Sequence, residues 1–290
     1  MSWAAGTARF EGADGVSLVA DIEGPTAGWP VVLLHGGGQT RHAWSGVVSA
    51  LVDRGWRTFS VDLRGHGDSD WAADGDYTVD AFARDCAALV GQFERPPVLV
   101  GASLGGVVAV IVEGELRPGS SNALVVADIA PDLNLAGIAR VRDFMGAHSE
   151  GFSSLEDAAS AIAGYTGRAN RSSAGLRRVL CQREDGRWYW HWDPRVLTSG
   201  LGEDTPLEVG RRMGAALERV TVPTLLVRGL VSDVVTPQGA EDFVLRATNA
   251  ERADVRDAGH MVAGDQNDAF AEATLSFLDR RVRPTLAVDD

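Results

Sequence analysis

Residues 98–106 read Val-Leu-Val-Gly-Ala-Ser-Leu-Gly-Gly, an apolar run that enters a Gly-x-Ser-x-Gly turn centred on Ser103. A strand must give way to a helix here within about one residue. Gly101 and Gly105 carry no Cβ, so the two elements can approach closely around a serine held at a strained backbone angle. That geometry lifts the hydroxyl clear of the sheet edge, where a base can reach it. In a chain with 34 glycines the pattern means little by itself. Its setting gives it weight: a β-run precedes it, a helical run follows, and candidate Asp and His residues lie downstream in the order that serine nucleophiles of this kind use.

The first 130 residues alternate strand-like and helix-like segments. Val16–Glu23 alternates apolar and polar residues, as a half-exposed strand does. Val31–Leu34 is a short apolar run ending in His35-Gly36-Gly37-Gly38, and Trp44–Arg54 follows with helical spacing. Trp56–Val61 predicts the next strand, ending at Asp62-Leu63-Arg64-Gly65-His66-Gly67-Asp68-Ser69. Tyr77–Phe93 carries apolar residues at 79, 82, 86, 89 and 93, one face of a helix. Ala123–Asp128 predicts another buried strand. Continuous apolar strands between helices imply an α/β fold with a mostly parallel sheet covered on both faces.

The rhythm breaks after Pro131. Residues 131–220 read as helix and loop without strand alternation, and they hold Phe144, Met145 and the cluster Trp188-Tyr189-Trp190-His191-Trp192. Alternation resumes with a strand at Pro223–Arg228, a helix at Pro237–Arg246, a strand near Ala253–Arg256 and an amphipathic helix from Asp268 to Arg280. The expected organisation is an α/β core from 1–130 and 221–290, interrupted by a helical cap at 131–220.

Charge narrows the partners. A net charge of −13 disfavours nucleic acid and anionic membrane. Every basic residue is arginine, so no Schiff-base lysine or phosphate-loop lysine is present. Cys86 and Cys181 are far apart, lie in no Cys-x-x-Cys motif and read as buried thiols of a reducing compartment. No signal-peptide pattern opens the chain and no apolar run reaches membrane-spanning length, so the expected location is cytoplasmic. No His or carboxylate cluster has metal-ligand spacing.

A free serine hydroxyl is a poor nucleophile at neutral pH and needs a base. Of six histidines, His260 lies in a glycine-bearing loop, Asp257-Ala258-Gly259-His260-Met261, between the last strand and the last helix. Asp233 lies just past the strand through Val227. Both fall at carboxyl ends of strands, the edge where open α/β sheets place ligands. The expected triad is Ser103 as nucleophile, His260 as base and Asp233 as the acid that orients it. Asp128 is the rival acid, since it also closes a strand, although a structural aspartate bonding loop amides is the expected role there. Developing negative charge calls for two backbone amides. Leu104, at the start of a helix, supplies one, and Gly37 of the glycine run supplies the other. His66 is expected to hydrogen-bond the loop framework. Phe144, Met145 and Trp190 are expected over the substrate pocket.

Taken together, Leu34-His35-Gly36-Gly37-Gly38, Asp62 to Ser69, Gly101 to Gly106, Gly229 to Asp233 and Gly259-His260 resemble the α/β-hydrolase superfamily. Ala258 to Asp265 is similar to bacterial single-chain hydrolases labelled serine esterases or cofactor-free haloperoxidases. The resemblance implies an eight-stranded sheet, a helical cap inserted after the sixth strand and no cofactor. Ser103 departs from dehalogenases and epoxide hydrolases, which carry aspartate at that position. Gly37 stands where haloperoxidase-type members have an aromatic residue, and Gly37-Gly38-Gln39-Thr40 lacks the asparagine of ring-fission C–C hydrolases. The expected function is hydrolysis of a small to medium, largely uncharged carboxylic ester. C–C bond, lactone or perhydrolase chemistry on the same triad, or a small-molecule receptor with vestigial turnover, are the alternatives, and oligomeric state is left open.

Overall fold

The computed structural model describes residues 3–166, 173–198, 205–260 and 267–286. The apolar runs are strands with both faces covered: β3 (Pro30–Leu34), β4 (Arg57–Asp62) and β6 (Ala123–Ala127) are buried at every position. They join β1 (Gly6–Glu11), β2 (Ser17–Glu23), β5 (Val98–Ala102), β9 (Thr224–Gly229) and β10 (Ala250–Val255) in one eight-stranded sheet. Its order is β1-β2-β4-β3-β5-β6-β9-β10. β2 runs antiparallel to both neighbours and the other pairings are parallel. β1 escapes the sequence reading because an outer strand exposed at most positions carries little apolar pattern.

Period-two alternation sorts the core. On β3, Val32 and Leu34 face one cluster while Val31 and Leu33 face the other. The second cluster lies under α1 (Ser45–Asp53) and includes Trp44, Val47 and Leu51. The first takes α2 (Val79–Val90), capped by Thr78, and α3 (Leu104–Ile111), whose residues are all buried. An all-apolar helix of this kind belongs in the interior.

Between β6 and β9 the chain leaves the sheet and returns to the adjacent position, pairing Leu124 with Thr224. The excursion holds α4 (Leu135–Gly146), α5 (Leu155–Thr166), α6 (Ser173–Leu176), the hairpin β7 (Leu180–Gln182) and β8 (Trp188–Trp190), and α7 (Arg195–Thr198). Phe152, Leu155, Ile162, Leu180 and Trp188 give it a small core of its own. The hairpin was not expected from the sequence. Its strands are three residues each, too short to establish a period.

Helix α8 (Pro206–Leu217) belongs elsewhere. Its Met213, Ala216 and Leu217 join the main core, and a Cβ on Gly114, just past α3, would meet the Ala216 carbonyl. Of the expected 131–220 cap, residues 206–217 therefore pack against α3 in the main core. An amphipathic helix has the same pattern whether it covers a cap or a sheet, so periodicity could not separate them. Helix α9 (Pro237–Arg246) has the predicted bounds, and α10 (Asn267–Phe277) covers the second cluster through Phe270 and Phe277.

The Gly65–Gly67 turn ties the excursion down. Gly67 N–H donates to the His191 carbonyl, Asp193 N–H donates to that of Gly65, and the Tyr77 hydroxyl donates to Asp193 at 2.6 Å. Cys86 is buried, Cys181 half-buried, and both are free.

Candidate active site

The turn after β5 is built as the glycine spacing predicts. Ser103 sits at φ 48°, in the left-handed region, and its N–H donates to the Ala127 carbonyl on β6. A Cβ on Gly101 would stand 2.2 Å from the Gly105 carbonyl oxygen, and one on Gly105 would stand 2.2 Å from that of Leu34. Neither contact is tolerable, so strand and helix pack this closely only without those side chains. Gly105→Ala is expected to cost about 3 kcal/mol, read as a drop in the urea unfolding midpoint.

His260 and Ser103 meet: His260 Nε2 lies 3.2 Å from the Ser103 hydroxyl. On the far side of the ring, Nδ1 lies 2.9 Å from Asp128 Oδ2. The Asp128 carboxylate is fully buried, and it also accepts the Gly229 N–H and the Ser232 hydroxyl. A hydroxyl, an imidazole and a buried carboxylate in this sequence of contacts can move a proton off the serine.

Asp233, the acid expected from the sequence, is not in this chain of contacts. It pairs with Arg140 of α4. The turn after β9 explains why. Leu230 N–H and Val231 N–H donate to the Val255 and Ala258 carbonyls, which carries the chain past the imidazole before Asp233 is reached. Asp128 stands one residue beyond β6, the strand next to that of the serine, at φ 48°. That tight turn aims its carboxylate at His260 while it also bonds the Gly229 amide, the structural role foreseen for it. The signal available in sequence was this immediacy: Asp128 follows a wholly apolar run without a gap.

The glycine loop after β3 abuts the serine, and a Cβ on Gly36 would stand 3.4 Å from Ser103 Cβ. Gly36 N–H donates to Gln39 Oε1 and Gly38 N–H donates to His66 Nε2. Between these committed amides, the Gly37 N–H has no partner among the described residues. Leu104 N–H opens α3, where helix donors lack partners within their own helix and the dipole favours negative charge.

Two buried histidines hold this loop. His66 Nδ1 donates to the Arg64 carbonyl at 2.9 Å, the framework role expected of it. His35 Nδ1 donates to the Gly36 carbonyl, and its Nε2 accepts the Leu63 N–H. The rings lie 5.0 Å apart. Burial pushes His35 down to about 4 and His66 down to about 3, so both are neutral near pH 7.

Met145 reaches the site: its methyl group is the nearest neighbour of a Cβ placed on Gly37 or Gly38. Phe144 and Trp190 meet each other instead, edge to face at 5.8 Å, with Phe144 stacked on Tyr165 at 4.0 Å. Trp190 packs against both the small core of the excursion and the main core. Among the described residues no His, Cys, Asp or Glu cluster could hold a metal, and no helix is long and apolar enough to cross a membrane.

Residues 31–273 match the model of the alpha/beta hydrolase family. The chain is 29% identical over 269 residues to an esterase of Mycobacterium tuberculosis, covering 87% of this chain and 83% of that protein. It is 27% identical over 242 residues to the 3-hydroxybutyrate-oligomer hydrolase of Cupriavidus necator, covering 79% and 82%. A crystal structure of an alpha/beta hydrolase from Novosphingobium aromaticivorans shares the fold with a TM-score of 0.78 at 24% identity, covering 94% of this chain and 98% of that one.

Proposed function

The chain belongs to the alpha/beta hydrolase family, and on that premise we propose that it is a serine esterase cleaving small to medium, largely uncharged carboxylic esters. The observation that carries this is the contact of His260 Nε2 with the Ser103 hydroxyl, backed by Asp128 on Nδ1. His260 takes the hydroxyl proton as Ser103 Oγ attacks the ester carbonyl carbon. The Asp128 carboxylate keeps the Nδ1 proton in place and stabilises the imidazolium. Gly37 and Leu104 amides receive the oxyanion. His260 then protonates the departing alcohol, leaving an acyl group on Ser103, and a water deprotonated by the same imidazole releases the acid.

Several features support this reading. The amides beside Gly37 are occupied, which leaves its own for substrate. The relative in Mycobacterium tuberculosis is an esterase. Met145 over the glycine loop offers an apolar contact to an acyl chain, and the chain's negative charge disfavours anionic substrates. The mechanism calls on no cofactor or metal, and a cytoplasmic location fits its free thiols.

A fluorophosphonate is expected to label the protein once, at Ser103, with no labelling in Ser103→Ala. p-Nitrophenyl butyrate is expected to give a burst followed by steady release. kcat/KM should rise with pH through one ionisation, because only neutral imidazole accepts the proton, and a flat profile between about pH 5 and 8 overturns His260 as base. Labelling without turnover of any ester in a panel would favour a receptor. Bleaching of a dienone faster than ester release would favour C–C hydrolysis.

A further inference from the structure

We propose that Ser232 is a positioning residue for the Asp128–His260 pair, acting through the hydroxyl that it places on Asp128; this rests on the esterase reading above. The Ser232 hydroxyl donates to Asp128 Oδ2, the same oxygen that faces His260 Nδ1. Its lone pairs are held as well. Val234 N–H donates to Ser232 Oγ at 3.1 Å and Val235 N–H does so at 3.4 Å. With two amides fixing its acceptor side, the hydroxyl proton can point only along the remaining direction, which is Asp128. Gly229 N–H holds the other carboxylate oxygen at 3.1 Å. Among the described residues, every partner of this carboxylate apart from the imidazole comes from residues 229–232.

Hydrogen bonds to an ionised carboxylate spread and stabilise its charge, and they set its orientation. Ser232 thereby tempers how strongly Asp128 draws on the imidazolium and holds Oδ2 toward Nδ1. No proton leaves Ser232 in this role. Charged side chains also flank these loops. Arg228 Nε donates to the Val235 carbonyl, Asp233 pairs with Arg140, and Asp257 is exposed.

The test is the pH dependence of the second-order rate of inactivation by a fluorophosphonate, which needs no knowledge of the natural ester. In Ser232→Ala the carboxylate loses a donor and becomes a stronger acceptor for Nδ1. The midpoint of the rate profile is expected to move up by about half a pH unit. Looser orientation of the ring is expected to lower the plateau by about tenfold. Ser232→Thr, which keeps the hydroxyl, is expected to restore both. An unchanged midpoint and plateau in Ser232→Ala overturns the proposal. A plateau lowered equally in both variants with no midpoint shift also overturns it, since that outcome marks loop packing alone. Thermal melts identify a misfolded Ser232→Ala, in which case Ser232→Cys, a weak donor of similar size, replaces it with the same two expected shifts. Failure of the wild type to label at Ser103 is a separate result and sinks the esterase reading instead.

Discussion

Asp128→Asn is expected to lower kcat/KM for a p-nitrophenyl ester by about 10⁴, whereas Asp233→Asn is expected to stay within about threefold of wild type. In the proposed mechanism, the buried Asp128 carboxylate selects the imidazole tautomer with its proton on Nδ1 and stabilises the imidazolium that would form during attack. An asparagine there can turn its NH₂ toward Nδ1, which drives the ring proton to Nε2, where the serine needs a free lone pair. Among the described residues Asp233 has only Arg140 to lose, and that arginine's side chain is 62% exposed. Exposed pairs of this kind contribute about 0–1 kcal/mol. Steady-state kinetics of the two variants, with thermal melts to establish folding, decide the matter. A large loss in Asp233→Asn with little in Asp128→Asn would reverse the assignment.

Acid is expected to unfold this protein sooner than its carboxylates alone would dictate. His35 and His66 lie buried and neutral, pushed down to about 4 and about 3, while an unfolded histidine titrates near 6.5. Each ring accepts a backbone N–H at Nε2, so a proton placed there would face another donor. The sign follows from proton counting. Below about pH 6.5 the unfolded chain binds protons that the folded one refuses, so folding stability falls as pH falls. The contribution is fully present above about pH 6.5 and drains away towards the folded values. Each histidine removes up to about 1.4 kcal/mol per pH unit, so at pH 5 the two together remove up to about 4 kcal/mol. Urea midpoints measured from pH 7.5 to 4.5 test this. His66→Gln, which keeps an acceptor for Gly38, is expected to reduce the slope between about pH 6.5 and 5 by about half. A midpoint unchanged across that range in the wild type would contradict it.

Much of the architecture was legible because hydrophobic pattern reports burial directly. The β3, β5, β6 and β9 runs are buried on both faces; the structure places β3, β6 and β9 within about one residue of the sequence expectation and extends β5 two residues beyond the expected Val98–Val100, to Ala102. The serine turn was legible for a different reason: only glycine fits at 101 and 105, so the packing is written into residue identity. His260 followed from its place after the last strand. The acid did not, and the cause is tertiary. β6 and β9 are distant in sequence but adjacent in the sheet, so the loops after both flank one imidazole. Which carboxylate reaches it depends on a few dihedral angles in the turn at 229–232, on which pattern is silent. The same limit hid Ser232, an unremarkable loop serine until its partners are known. The docking of α8 against α3 was hidden likewise, although a capping box, Thr205–Glu208, stands at its start.

The Gly65–Gly67 turn fastens the excursion between β6 and β9 at 191 and 193, and its central residue, His66, also grips the amide of Gly38. The glycine loop beside Ser103 and the excursion thus share one rivet, to which Thr40 on the Arg178 carbonyl adds a second tie. Chimeras that exchange part of the excursion must leave that rivet undisturbed, which places the safe downstream splice point before residue 191.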